Sequence, residues 1–467
     1  MGSLTPGRFD VRKIAVIGAG PCGLAAAKYL KAQHAFESIV VFEQQAEVGG
    51  VWNYHPGVPA SYPAPQQDPF LPPDTPLPPG RDARGPPVFP SPMYEKLHSN
   101  IPGSLMQFSD KEFPRGVWAF PRRETILEYL LEYAKDVRDL IRFCFQVTNI
   151  SLVPRDGRDR WHLEARSTVN NETVRDTFDA VVVANGHYAT PFIPDMKNMS
   201  EFQRTYPSII SHSKQYRNPE PFRNKKVVVV GNGPSGVDIA LQINGVCEQP
   251  ALLSVKEPTP ADRLEHTGCR EVPEINEFLI EQRGVRFADG SVESDIDAML
   301  FCTGFLYSYP FLPDLRHKLI TNGRRVHGLY KHFLYIDHPT LVFPGLNMRA
   351  IPWPLSEAQA AVYSALWSNN LDLPSAEEMR RWNAEVEESK GDKLHIFSPP
   401  DDGNYINEMH DWAVQARHLG KTPPRWDDET FWVRRIFADA KLRFEKDGCK
   451  ATTLGELGLY YEPEESG

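Results

Sequence analysis

Two stretches of this chain share one grammar. IAVIGAGPCG at 14–23 and VVVVGNGPSG at 227–236 each run from an apolar strand, through glycines at the same three places, into a helix. The glycines are Gly18, Gly20 and Gly23 in the first and Gly231, Gly233 and Gly236 in the second. A buried strand that turns on such glycines into a helix brings a dinucleotide pyrophosphate to the free N–H groups of the helix N-terminus. One such motif is a weak signal, but the full strand, glycine and helix pattern recurring near the middle of the chain points to two nucleotide sites. The fold class this predicts is α/β, with two dinucleotide-binding (Rossmann-like) domains.

The two units differ where a nucleotide's ribose is read. Glu43, a strand's length beyond the first helix, ends the strand VVFE, where a carboxylate accepts hydrogen bonds from both ribose hydroxyls and repels a 2′-phosphate. Lys256 stands as far beyond Gly236 as Glu43 stands beyond Gly23, with Ser254 beside it, and a cation and a hydroxyl suit the 2′-phosphate of NADP. Glu257, next in the chain, works against that reading, and a plain solvated lysine is the alternative. A resident FAD at the first unit and an exchangeable NADPH at the second follow, with electrons passing between them.

The chain's 467 residues exceed one ordinary core. The order of elements places an FAD-binding domain at 1–190, an inserted NADPH-binding domain at 191–300, and the second part of the FAD-binding domain with a C-terminal region at 301–467. Between 56 and 92 lie 14 of the 42 prolines, a density that excludes helix and central strand. That stretch reads either as a disordered loop or as an ordered flap over the first site. The net charge of -10, from 61 acidic and 51 basic side chains without a long basic run, argues against nucleic acid or a lipid surface as partner. Six scattered cysteines show no zinc or disulfide-reductase spacing, and no apolar run approaches the ~18 residues of a membrane helix. An N-terminus without an apolar signal core, an acidic C-terminus, and Pro6 where myristoylation wants Ser or Thr after Gly2 complete the expectation of a soluble cytoplasmic protein.

Further segments resemble a known family. GAGPCG, GGVWNY at 49–54, YEKLHSNIPGSLMQFSD at 94–110, FPRRETILEYL at 120–130, GNGPSG, FCTGFLYSYPF at 301–311, YIDHPTLVFPGL at 335–346, LPSAEEM at 373–379 and NYINEMHDWA at 404–413, in that order, are similar to the flavin-containing monooxygenases, closest to the soluble yeast and fungal type. The linker signature FxGxxxHxxxY of that family matches YPSIISHSKQY at 206–216 through His212 and Tyr216, while Tyr206 and Ser208 depart from it. The departures bear on the local turn and on domain coupling rather than on the fold. Related Baeyer-Villiger enzymes carry Trp where Tyr216 stands.

The resemblance implies an NADPH-reduced FAD that forms a 4a-hydroperoxide with dioxygen and oxygenates a soft nucleophile, the nitrogen or sulfur of a small molecule. It places Asn100 beside the reactive carbon of the flavin as the one catalytic candidate, where an amide donates to a peroxide oxygen without adding charge. It gives Gly50, Trp52, Gln44 and Gln359 to the FAD site beside Gly18, Gly20, Gly23 and Glu43. To NADPH it gives Ser235, His212 and Tyr216 beside Gly231, Gly233, Gly236, Ser254 and Lys256. Tyr54 joins Trp52 as a candidate flavin-facing aromatic, and core packing is the alternative for both. Ser356 and Gln359 have capping-box spacing, which predicts a helix starting there and pointing at the flavin ring. His212 reads as a satisfied linker histidine before a base, and Cys302 as packing. No metal site is expected. An NADPH oxidase, a Baeyer-Villiger enzyme and a non-catalytic NADPH-binding sensor stay open as alternatives, as does a homo-oligomer.

Overall fold

The computed structural model describes residues 9–77, 86–153 and 158–463. The centre of the Pro-rich stretch, 78–85, and the chain ends read above, 1–8 and 464–467, lie outside the described residues.

Two mostly parallel sheets carry the molecule. The outer sheet runs in the order Leu329–Tyr330, Leu334–Tyr335, Leu341–Val342, Ala180–Val183, Lys13–Ile17, Ser38–Phe42 and Ile141–Arg142. From Leu341–Val342 onward its neighbours are parallel. The inserted sheet runs Arg270–Pro273, Leu252–Val255, Val227–Val230, Ala298–Phe301 and Ile210–His212, with every pair parallel. Strands covered on both faces need apolar side chains at every position, which is why AVVV at 180–183 and VVVV at 227–230 are buried throughout. Outer-sheet strands lie on both sides of the inserted ones in the chain, so the second unit is an insertion within the first. The two crossings touch each other, because Thr190–Pro191 pairs antiparallel with Phe305–Leu306.

The Pro-rich stretch is tied to these crossings. Gln66 and Ile193 exchange both backbone hydrogen bonds (2.9 and 2.8 Å), Ser308 Oγ donates to Pro69 O (2.6 Å), and Leu77 N donates to Val88 O (2.7 Å). Asp74 reaches the ammonium of Lys214 with both carboxylate oxygens (2.8 and 2.7 Å). Lys214 is fully buried, and burial pulls its ammonium down while Asp74 opposes. The described part of this stretch is therefore a strap across the junction of the two units, neither of the two expectations as stated. Asp74→Ala strands a buried charge. Because Asp74 is 23% exposed, the expected loss is about 2 to 3 kcal/mol, at or below the low end for a fully buried pair, read as a shifted urea midpoint.

One helix of the outer unit, Pro352–Trp367, is buried from Trp353 to Trp367. A helix with apolar residues on every face belongs inside, and this one packs between Pro21–Ala32 and Asp401–Ala413. Its acid is satisfied there: Glu357 accepts from Ser109 N (2.8 Å), Ser109 Oγ (2.8 Å) and Lys421 Nζ (3.1 Å). No described helix is long and apolar enough to cross a membrane.

Candidate active site

The first glycine turn opens at the carboxyl end of Lys13–Ile17. Gly18 has φ +99°, and a Cβ there would stand 2.7 Å from Ala184 O. A Cβ on Gly23 would stand 1.9 Å from Gly18 O, so the helix Pro21–Ala32 approaches the turn as only glycine permits. Gly20 and Gly50 face each other almost in contact, with Gly50 at φ +56°. The backbone is thus bare where a pyrophosphate would meet it.

Glu43 follows the strand Ser38–Phe42 and is buried. Its Oε2 accepts from Ala19 N (2.8 Å) and its Oε1 from Gln45 N (2.9 Å). Burial pushes its carboxyl up and these amides pull the other way. Each oxygen keeps a lone pair for a ribose hydroxyl. Gln44 is half-buried, with its amide oxygen accepting from Gln146 Nε2 (3.0 Å). Trp52 closes the short turn Gly50–Trp52 and packs on the outer core. Tyr54 lies under the Arg123 guanidinium at 3.8 Å.

Asn100 stands in a bend at 100–101. Ser99 Oγ accepts from Ile101 N (3.0 Å) and donates to Ile101 O (2.7 Å), which fixes the turn without help from the asparagine. Asn100 itself is exposed, and its amide makes no hydrogen bond among the described residues. It does not cap its own backbone.

The expected capping box is absent. The helix begins at Pro352, ahead of Ser356, because proline in the first turn brings a preset φ and lacks only an N–H that the helix cannot use. Ser356 Oγ bonds back to Trp353 O (2.9 Å) from inside the helix. Gln359 is fully buried, accepting from Gly345 N (2.9 Å) and donating to Tyr405 OH (2.9 Å). Its side chain holds the 345 loop.

The inserted unit repeats the cradle. Gly231 has φ +101° with a Cβ position 2.9 Å from Cys302 O, and a Cβ on Gly236 would stand 1.9 Å from Gly231 O. Nothing lies within 4 Å of a Cβ on Gly233, and Gly233 and Ser235 are exposed, so the start of helix Pro234–Asn244 is open. Cys302 packs against Gly236 (3.4 Å to a Cβ there). Asn232, which sequence reasoning passes over, pins the 257–259 loop through Glu257 O (2.9 Å) and Thr259 Oγ1 (3.0 Å). Its signal is visible all the same: it is the residue between glycines that matches Ala19 of the first unit.

Equal spacing misaligns the two units by one position. Gly18 N donates to Phe42 O, whereas Gly231 N donates to Ser254 O, so Ser254 matches Phe42 and Val255 matches Glu43. Ser254 is buried, and its Oγ donates to Pro273 O (2.9 Å), which removes it from the phosphate. Lys256 extends beyond the strand, 82% exposed and 3.5 Å from Glu274. The side chains of His212 and Tyr216 have partners within the protein. Both ring nitrogens of His212 are taken, Nδ1 by Lys214 N (3.1 Å) and Nε2 by Gly304 O (3.0 Å), and burial pushes its pKa down to about 3. It ties the end of strand Ile210–His212 to the returning crossing, as a satisfied linker histidine does. Tyr216 is buried with its hydroxyl on Gln242 Oε1 (3.0 Å). Tyr206, the departure from the linker signature, donates to Ile280 O (2.9 Å) and stays within the inserted unit.

Comparison with known proteins decides among chains that carry two such cradles. The family model described as flavin-binding monooxygenase-like matches residues 90–268 and 267–421, and a model of an NAD(P)-binding Rossmann-like domain matches 16–65. The chain belongs to the flavin-containing monooxygenase family. Among its relatives are the thiol-specific monooxygenase of Saccharomyces cerevisiae, 30% identical over 91% of this chain and 91% of that protein, and the trimethylamine monooxygenase of Pelagibacter sp., 32% identical over 85% and 84%. The solved S-allyl-L-cysteine S-oxygenase of Allium sativum has the same fold, with a TM-score of 0.78 at 24% identity over 96% of this chain and 97% of that one. As a flavin-containing monooxygenase the protein uses FAD and NADPH. The residues present fit both: each glycine turn leaves backbone that a Cβ would block, and a carboxylate stands at the end of the strand beside the first turn, bonded to Ala19 N.

Proposed function

We propose that this flavin-containing monooxygenase oxygenates the nitrogen or sulfur of a small soft nucleophile, with FAD in the outer cradle and NADPH in the inserted one. The observation that carries the reading is the pair of bare glycine cradles joined through touching crossings, with a free amide at Asn100 on the outer unit. FAD, when bound and reduced by NADPH, activates dioxygen. One oxygen atom goes to the substrate and the other leaves as water, with the two electrons and one proton from NADPH and the second proton from solvent. The two relatives named for their substrates act on a thiol and on trimethylamine, both soft nucleophiles.

The chain's own residues bind, orient and protect. Gly18, Gly20, Gly23 and Gly50 admit the FAD pyrophosphate, and Glu43 holds the adenosine ribose. Gly231, Gly233, Ser235 and Gly236 receive NADPH, with Lys256 as the cation nearest its 2′-phosphate. Asn100 would offer its amide N–H groups toward the flavin's reactive face, where a hydrogen bond steadies developing charge on oxygen without adding a charge of its own.

Asn100→Ala tests this role. Reduction of the flavin by NADPH should persist, while the oxygenated fraction of turnovers falls about tenfold or more and hydrogen peroxide rises to match. The assay compares NADPH consumed, peroxide released and product formed with a small thiol and a tertiary amine. Unchanged coupling with both substrates removes Asn100 from the chemistry, and peroxide as the main product of the unaltered enzyme with every nucleophile favours an oxidase.

A further inference from the structure

The carboxyl edge of the inserted sheet is poor in free cations. Arg270 begins its strand at the opposite edge and pairs with Glu293, while Arg263 is held by Glu445 (2.9 Å) and Ala438 O (2.6 Å). Lys256 is the remaining cation at that edge among the described residues near the 256–259 loop, and Glu274 stands 3.5 Å from it. Strand pairing puts the two side by side, since Val255 is in register with Pro273. Besides the neutral amide of Asn232, two further acids border this loop. Glu271 accepts from Thr259 N (2.8 Å), and Glu257 is exposed beside Lys256. Of these carboxylates, Glu274 is the one paired with the Lys256 ammonium.

We propose that Glu274 sets the cofactor preference. It occupies Lys256 in the free enzyme, so the 2′-phosphate of NADPH has to displace it, and the enzyme also accepts NADH as a second reductant. This rests on the reading of Lys256 as the residue that meets the phosphate. NADH carries no group to compete for Lys256 and loses nothing to Glu274. An exposed pair contributes up to ~1 kcal/mol, so removing the competitor sharpens discrimination by about two- to fivefold.

The test measures KM and kcat for NADPH and NADH in the unaltered enzyme and in Glu274→Gln, Glu274→Asp, Lys256→Ala and the double variant Lys256→Ala/Glu274→Gln. The unaltered enzyme should turn over with both cofactors. Glu274→Gln should lower KM for NADPH about two- to fivefold, leave KM for NADH within about twofold and show no matching change in kcat. Glu274→Asp should keep the unaltered preference, Lys256→Ala should bring the two cofactors toward parity, and the gain from Glu274→Gln should shrink in the Lys256→Ala background. If Lys256→Ala lowers the preference but Glu274→Gln leaves it unchanged, Lys256 reads the phosphate and the competition is refuted. If the gain persists undiminished in the double variant, Glu274 does not act through Lys256 and the proposal is again overturned. If neither change moves the ratio, the phosphate is read elsewhere and the reading of Lys256 falls with it.

Discussion

Gly23→Ala protein should emerge from purification without its flavin, whereas Gly236→Ala protein should stay yellow and bind NADPH about ten- to hundredfold more weakly. In both units the added methyl would stand 1.9 Å from a backbone oxygen, Gly18 O in one and Gly231 O in the other. Backbone cannot swing aside as a long side chain can, so the helix has to move off its strand and the N–H groups at its start lose their aim. The insult is the same and only the address differs. Flavin-to-protein absorbance after gel filtration reads the first outcome, and titration of the flavoprotein with NADP reads the second. Circular dichroism separates loss of cofactor from loss of fold, and Glu43→Gln provides a milder outer-site variant whose FAD affinity should also fall. Full flavin in Gly23→Ala protein would place FAD elsewhere.

Acid should destabilise the fold through buried neutral histidines. Burial pushes the pKa of His212 down to about 3, against the nearby carbonyl of Gly304, and pushes His395 down to about 3 as well. His332, 3.2 Å from His395 between their Nδ1 atoms, is driven down by burial and then by that neighbour. The sign follows from linkage. The unfolded chain binds protons below about pH 6.5 while these folded groups stay neutral, so stability present at neutral pH is lost as pH falls from about 6.5 toward the folded values near 3. His212 alone accounts for about 1.4 kcal/mol between pH 7.5 and 5.5, and the pair adds in the same direction. Buried acids oppose this over part of the range, because burial raises the pKa values of Glu43, Glu357 and Asp238. Urea unfolding across pH in the unaltered protein and in His212→Gln isolates the histidine, since the acids cancel in the difference. A gap between the two curves that does not change from pH 7.5 to 5.5 would contradict the assignment.

The parts of the site legible in the sequence are those whose cause is local. A strand that must be buried on both faces, a glycine that must take positive φ and a helix that must start at once are written in one short run of the chain, and both cradles are readable from it. What misleads depends on distant partners. Ser356 and Gln359 have cap spacing, but Pro352 sets the helix start and tertiary burial turns Gln359 toward Tyr405. Equal spacing from the last glycine makes Lys256 the counterpart of Glu43, whereas hydrogen-bond register gives that place to Val255, because the second unit is shorter by one position between turn and strand end. His212 and Tyr216 match a motif, yet what the motif secures here is the junction: His212 bonds Gly304 on the returning crossing. The strap of prolines illustrates the same limit, since composition excludes helix but does not name Lys214 as the partner of Asp74.

The most direct test follows NADPH, dioxygen and product together in one reaction. Flavoprotein mixed with NADPH without oxygen should bleach. On admitting oxygen with a small thiol or tertiary amine, NADPH consumed, dioxygen consumed and oxygenated product should agree at one to one to one, with little hydrogen peroxide. Flavin that stays oxidised under NADPH, or dioxygen that returns entirely as peroxide with both substrates, would contradict a monooxygenase acting on nitrogen or sulfur.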